Sequence, residues 1–356
     1  MSFTRRLTKD DIRRTDLSGM MQNIASMGAH IRESIQMTNE ALASVTLPNR
    51  IDNIVLSGMG GSAIGGDFVR CYLSQKLRVP FTISRSYELP AYASERTLVI
   101  ASSYSGNTEE TLAQFDDAAK RGCQLVALTT GGALASNAKE KGYPILPLRD
   151  GMMPRAAFAY SFVPVLLLLQ QLGLTTGEEG SLQAGASHLD QLADAYGENN
   201  LTESNKAFAL ASQLLHRLPV IYSAADYEAV CLRWKGQLQE NAKHLAFGNV
   251  LPEMNHNELE SWAHPTDLLQ HFMAIILRSV EDEHPRVTAR LNALKEILSG
   301  KQVPIVELRA EGATRLERML SLVSLADWTS LYLALLVGTD PTPIPIMDAL
   351  KKRLSA

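Results

Sequence analysis

Short apolar runs alternate with helical stretches along most of the chain. Residues 51–57, 80–84, 97–102, 124–129 and 144–148 are compact and rich in Val, Ile and Leu, the pattern of strands buried on both faces. They recur about 20–30 residues apart, the period of a βα unit, and predict a five-stranded, doubly wound parallel sheet. Upstream, Ile24, Met27, Ile31, Ile35 and Leu42 fall on one face of predicted helices over 9–45, and Pro48 ends that segment. A polar stretch, 175–205, carries Gly177, Gly180, Gly185 and Gly197 and reads as a connection, helical around 188–196. The alternation then resumes. Residues 218–223, 271–278 and 303–308 read as strands, and 227–244, 285–298, 314–336 and 348–354 as helices. The predicted organisation is N-terminal helices over 1–45 packing on the core, a first α/β domain over 46–175, a connection over 176–205 and a second α/β domain over 206–356. The two halves share a pattern of elements, not a visible sequence repeat.

The apolar stretches 156–174 and 320–337 are borderline in length for a membrane span. The first contains Tyr160, Ser161, Pro164, Gln170 and Gln171, and the second Asp327, Trp328 and Ser330. Both are predicted as buried core helices. The 356 residues suit two domains. An apolar fraction of 46% is too high for a disordered chain, and 6% aromatics leave aliphatic side chains to fill the core. Lys and Arg number 34 against 38 Asp and Glu, a net charge of −4, which argues against nucleic-acid binding by bulk charge but not against a local anion pocket. Cys71, Cys123 and Cys231 are too few and too scattered for a disulfide framework or a metal clip. The polar residues 1–14 include no apolar signal region. These features predict a cytoplasmic protein without a nucleic-acid, membrane or metal partner.

Two turns change the picture. The first predicted strand ends in Ser57-Gly58-Met59-Gly60-Gly61-Ser62-Ala63-Ile64-Gly65-Gly66. Glycines let a backbone turn sharply and approach a ligand, and the next helix points its free N–H groups at an anion. Gly58, Gly60 and Ala63 fit a dinucleotide fingerprint, G-x-G-x-x-A. That reading needs an acidic residue at the end of the second strand, where only Glu88 follows, late and close to Pro90. A tight turn without a ligand is the other alternative. The third strand ends in Ala101-Ser102-Ser103-Tyr104-Ser105-Gly106-Asn107-Thr108-Glu109-Glu110. Ser103, Ser105 and Thr108 offer three hydroxyls just before a helix, where an N-cap needs one. No Lys stands in the turn, so it is no nucleotide P-loop. A parallel sheet puts both turns at one carboxyl edge, and together they predict a phosphorylated small-molecule ligand.

The SYSGNTEET run, with GMGGSAIGG upstream, resembles sugar isomerase (SIS) domains. From about residue 20 to 356 the chain resembles the bifunctional phosphoglucose/phosphomannose isomerase family. The resemblance implies two SIS-type domains, each a flavodoxin-like, doubly wound parallel α/β sheet. It also implies an aldose–ketose isomerase acting on fructose 6-phosphate and its glucose and mannose partners. Such a reaction moves a proton between C1 and C2 through an enediol. It needs a base, help in opening the ring, and stabilisation of an oxyanion, but no metal or cofactor. By the resemblance, Gly60, Gly61, Ser62, Ser103, Ser105 and Thr108 bind substrate, chiefly its phosphate.

The second half offers candidates in one block, Lys235 to Lys243 with Gln239-Glu240-Asn241, then Pro252-Glu253-Met254-Asn255-His256-Asn257-Glu258. By spacing alone Glu240 is a surface carboxylate near a helix end, with Asn241 beside it for a substrate hydrogen bond; Glu253 and Glu258 are rival bases. His256 is a loop histidine able to exchange a proton near neutrality, with His244, His264 and His271 as rivals. The resemblance assigns the base to Glu240 and ring opening to His256, donated by the partner of a homodimer. Arg155, in a Pro154-Arg155-Ala156-Ala157-Phe158 run, is assigned to stabilising the enediolate, a structural salt bridge being the alternative. Lys351, with Lys352 as rival, is assigned to the site from the closing segment. The family links acceptance of both sugars to a hydroxyl shortly before that lysine. Pro343 to Ile346 carry none here, leaving Thr342 or Thr339 for the role. Two other functions remain open on the sequence: a non-catalytic phosphosugar-binding regulator, and an aminosugar-phosphate enzyme. The first normally carries a DNA-binding module and the second, if it makes the aminosugar, an ammonia source.

Overall fold

The computed structural model describes residues 7–45 and 50–354. Pro48 lies outside the described residues. The chain divides into two compact units, 27–190 and 1–26 with 191–356.

Unit 27–190 opens with α3 (Met27–Leu42). It then alternates β1 (Asn53–Ser57), α4 (Gly60–Tyr72), β2 (Phe81–Ser84), β3 (Thr97–Ser102), α5 (Glu109–Lys120), β4 (Gln124–Thr129), α6 (Gly132–Glu140), β5 (Ile145–Pro147) and α7 (Phe158–Gln171), and enters α8 (Glu178–Tyr196). All pairings are parallel, in the order β2-β1-β3-β4-β5, which is the flavodoxin order. Central β3, Thr-Leu-Val-Ile-Ala-Ser, is buried at every position, as a parallel strand covered on both faces must be. Helix α7 packs on α4 through Phe68, Phe158 and Phe162, and on α3, where Tyr160 meets His30. Every α7 residue from Phe158 to Leu169 is buried. The polar stretch around 175–205 is largely one 19-residue helix, α8, and the division between units falls inside it.

The other unit contains α1 (Lys9–Thr15) and α2 (Met20–Ala25), so the helices predicted over 9–45 are divided between the units. It continues with α9 (Lys206–Leu214), β6 (Leu218–Ala224), α10 (Glu228–Asn241), β7 (Phe247–Leu251), α11 (Glu258–Ser261), β8 (Phe272–Arg278), α12 (Pro285–Gly300), β9 (Ile305–Arg309), α13 (Arg315–Val337) and α14 (Pro345–Leu354). Its sheet is parallel, in the order β7-β6-β8-β9. This repeats the topology of the first sheet with one strand fewer. Strand β7 has no counterpart among the predicted strands. It is an edge strand with Phe247 and Gly248 exposed, so the apolar run is missing.

Helix α13 is long and apolar enough to cross a membrane, but 94% of its most apolar window is buried inside the protein. A capping box of Thr314 and Glu317 starts it, and Gly338, at φ +75°, ends it. Its polar groups lock α10 in place. Arg233 Nη2 lies 2.7 Å from Asp327 Oδ2, Gln237 Nε2 donates to Asp327 Oδ1 at 2.7 Å, and Trp234 Nε1 donates to the Leu322 carbonyl at 2.9 Å. Burial pushes the Asp327 carboxyl up, and Arg233 and Gln237 oppose that shift.

Candidate active site

The switch point of a flavodoxin-ordered sheet lies where its first and third strands meet. In unit 27–190 those are β1 and β3, paired through Ser57 and Ala101. Both turns described above leave from this point. After β1 the chain turns at Gly58, where an added Cβ would stand 2.9 Å from the Ser102 carbonyl oxygen. Gly60, at φ +48°, opens α4, and the N-cap Met59 has no capping side chain. After β3 the turn is held by Gly106 (φ +69°) and ends at Thr108, the N-cap of α5, again without a side-chain cap. Two helix N-termini with uncapped N–H groups therefore meet at one edge, a natural place for an anion.

The turns are joined directly. The Tyr104 N–H donates to Ser62 Oγ at 3.0 Å, and Ser102 Oγ donates to the Ser62 carbonyl at 3.1 Å. Ser103 Oγ and Thr108 Oγ1 lie 2.9 Å apart, and the Thr108 N–H reaches Ser103 Oγ at 3.4 Å. Ser103 is fully buried and Ser105 exposed. Of the three hydroxyls predicted in this turn, Ser103 thus supports the loop from beneath. Ser105 accepts from the Asn107 N–H at 3.3 Å.

Arg155 lies in the turn just before α7, 3% exposed. Its loop is pressed against the first turn: a Cβ on Gly61 would stand 2.9 Å from the Pro154 carbonyl carbon and oxygen. The Tyr104 hydroxyl donates to the Arg149 carbonyl at 2.9 Å and accepts from the Met152 N–H at 2.8 Å. Burial pushes the Tyr104 hydroxyl up; the Met152 contact and Arg149 oppose this and Asp150 adds to it, so the phenol stays protonated. Gly60, Gly61, Ser62, Ser103, Ser105, Thr108 and the Arg155 loop therefore form one neighbourhood. In the sequence Tyr104 stands only as one residue of the Ser103-Tyr104-Ser105-Gly106 run. A large aromatic among small hydroxyl residues was the available signal.

In the other unit, Glu240 is the penultimate residue of α10, half-buried. Asn241 is buried and its amide donates to Ser330 Oγ at 3.0 Å, joining α10 to α13. Lys243 Nζ donates to the Asp340 carbonyl at 2.7 Å, tying the end of α10 to the segment that leads into α14. Lys351 is exposed on α14, with Asp348 at 3.8 Å. Among the rival bases, Glu258 is occupied: it accepts from the Tyr222 hydroxyl and from Asn249 Nδ2, each at 2.6 Å. His256 is exposed, in a 3-10 turn over Glu253–His256 that follows β7. Helix α10 runs back from the carboxyl edge of β6 to the start of β7. Glu240 therefore lies at the amino edge of this sheet and His256 at its carboxyl edge. The two are not brought together within one chain. Among the described residues no cluster of His, Cys, Asp and Glu is suited to hold a metal.

Comparison with known proteins bears on the family and the fold. Residues 49–174 match the SIS domain family, and residues 203–354 match the family described as bacterial phospho-glucose isomerase C-terminal SIS domain. A bifunctional phosphoglucose/phosphomannose isomerase of Caldicellulosiruptor bescii is 38% identical over 94% of this chain and 99% of its own. One of Aquifex aeolicus is 36% identical over 85% and 90%. In fold, a hypothetical protein of Thermus thermophilus superposes with a TM-score of 0.73 at 16% identity, covering 98% of this chain and 94% of that one.

Proposed function

Because the chain belongs to the bifunctional phosphoglucose/phosphomannose isomerase family, we propose that it interconverts fructose 6-phosphate with glucose 6-phosphate and mannose 6-phosphate through a cis-enediol. The observation that carries this reading is the pair of hydroxyl-rich turns, hydrogen-bonded to each other beneath two uncapped helix N-termini at the switch point. There the substrate phosphate receives N–H groups of the first turns of α4 and α5 and hydroxyls of Ser62, Ser105 and Thr108, with Ser103 holding Thr108 in place. No basic surface is needed for one dianion so surrounded.

Glu240 takes the proton from C2 of the open aldose and returns it to C1, while the carbonyl oxygen at C1 gains a proton and the C2 hydroxyl loses one. Arg155 and Lys351 stabilise the enediolate oxygens between these steps. His256 moves the proton that opens the ring. Glu240 and His256 must both reach one sugar, yet a five-residue strand, about 16 Å long, separates the edges on which they lie. A homodimer in which His256 of one copy completes the site of the other meets this requirement. We place the protein in the cytoplasm, in keeping with three buried cysteines and no disulfide among them.

The test is turnover of fructose 6-phosphate by purified protein without added metal or cofactor, following both aldose phosphates. Absence of both products would overturn the reading, and glucose 6-phosphate alone would remove the mannose half. For the dimer, Glu240→Gln and His256→Ala chains, each inactive, are co-expressed. Hybrids regain activity if His256 crosses between copies and stay inactive if both residues serve one site from one chain.

A further inference from the structure

Tyr104 uses its backbone and its side chain for different purposes. Its N–H goes to Ser62 Oγ at 3.0 Å, and its carbonyl accepts from Thr130 N at 3.2 Å and Thr130 Oγ1 at 2.7 Å. These bonds shape the phosphate turn and survive any change of side chain. The phenol instead crosses to the loop between β5 and α7, bonding at both Arg149 and Met152. That loop has a second anchor. Arg149 Nη1 reaches Glu33 Oε2 on α3 at 2.5 Å, and the Tyr160 hydroxyl on α7 donates to the same oxygen at 2.7 Å. Its third anchor is the contact of Pro154 with Gly61. Arg155 follows Pro154 directly, so the three anchors set where its guanidinium can reach.

We propose that Tyr104 is a positioning residue for Arg155: its hydroxyl holds the arginine loop in register with the phosphate turns, so that a substrate anchored by its phosphate presents its reacting carbons to the guanidinium. The inference rests on the isomerase reading above. It predicts a division of labour, because Tyr104→Phe keeps the phosphate turn and releases only the loop. Phosphate anchoring should persist while stabilisation of the developing oxyanion weakens.

The experiment compares wild type, Tyr104→Phe, Arg155→Ala and the double variant. Displacing a catalytic group by about an ångström costs up to roughly 10²-fold in rate, so Tyr104→Phe should lower kcat by about 10- to 100-fold with KM for fructose 6-phosphate within about twofold of wild type. Two inhibitors read the same split. A five-carbon aldonate phosphate, whose carboxylate mimics the enediolate, should bind more weakly by a similar factor. The corresponding alditol phosphate, which lacks that charge, should bind as before. In the Arg155→Ala background, removing the hydroxyl should change little, since the group it positions is gone. Additive losses in the double variant, an unchanged kcat, or equal weakening of both inhibitors would each overturn the proposal. An inactive wild type would instead overturn the isomerase reading, so the two failures are distinguishable. Thermal unfolding of Tyr104→Phe checks that the fold persists. If it does not, Glu33→Gln, which weakens the second anchor, should give the same kcat–KM split, and a uniform loss would count against the proposal.

Discussion

The carboxyl edges of the two sheets have the same topology and opposite contents. At the first, Gly58 and Gly106 let the turns close against the Ser102 and Gly131 carbonyls, Gly60 has open space beside it, and the N-termini of α4 and α5 have no side-chain cap. At the second, the turn after β6 is Ala224-Ala225-Asp226-Tyr227, without glycine, and the protein supplies its own anions. Asp282 binds Arg318 at 2.6 Å and accepts from the Tyr227 and Ser279 hydroxyls at 2.6 and 2.7 Å. Glu283 pairs with Arg278 at 2.9 Å, and the helix after β8, α12, is capped by His284, while α10 is uncapped like α4. The first edge offers two helix N-termini without side-chain caps, with Glu109 and Glu110 in the first turn of α5, and the second is filled by paired carboxylates of its own chain. The proposed base, Glu240, lies at the amino edge instead.

The largest expected effect tests that displacement. Glu240→Gln removes the proposed general base and should lower kcat by roughly 10²- to 10⁴-fold. Glu258→Gln, at the filled edge, should leave turnover near normal and lower stability instead, because it weakens the contacts of Tyr222 and Asn249. If Glu258→Gln were the variant that lost turnover, the assignment of the base would be reversed.

Next in size is the filled edge itself. Asp282→Asn leaves the largely buried Arg318 without its counter-ion, a change that costs on the order of 3 kcal/mol. Burial pushes the Asp282 carboxyl up, but hydrogen bonds from Arg318, Tyr227 and Ser279 more than reverse this and hold it well below the ordinary carboxylate range. A folded value below the unfolded one, about 3.9, makes the stabilisation complete above pH of about 4 and lost as pH falls further. Urea unfolding should therefore show the gap between wild type and Asp282→Asn narrowing below that pH. A gap that stayed constant would mean the carboxylate's charge is not what stabilises this edge.

Much of this anatomy was legible before any coordinates. Strands β3 and β4 announce themselves as unbroken apolar runs because both of their faces are covered. Edge strand β7 does not, since Gly248-Asn249 interrupts a run with one covered side. The two turns are legible because runs of glycine and clustered hydroxyls stand out at the ends of apolar strands. The roles of single carboxylates were not. Glu240 and Glu258 look alike in sequence, and only the partners Tyr222 and Asn249 set one aside. Ser103 and Ser105 are likewise equivalent on paper, until packing buries one and exposes the other. Tyr104 was hidden for the same reason, because its hydroxyl acts on residues more than forty positions away.

The smallest effect is the most direct challenge to the comparison. If the second edge is a phosphate-type site occupied by the protein's own carboxylate, deleting that carboxylate should create a weak anion site. Asp282→Ala would leave the Arg318 guanidinium, the Tyr227 and Ser279 hydroxyls and no negative group at the vacated position. Inorganic phosphate should then stabilise the variant more than the wild type, since the first edge contributes equally to both. At a phosphate concentration equal to its Kd the additional stabilisation is about 0.4 kcal/mol, rising with the logarithm of concentration. Urea unfolding in phosphate and in chloride at matched ionic strength reads the difference. The same phosphate response in both proteins would mean that the two edges share a topology but not a binding geometry, and that the carboxylates of the second edge hold its loops without standing in for a ligand.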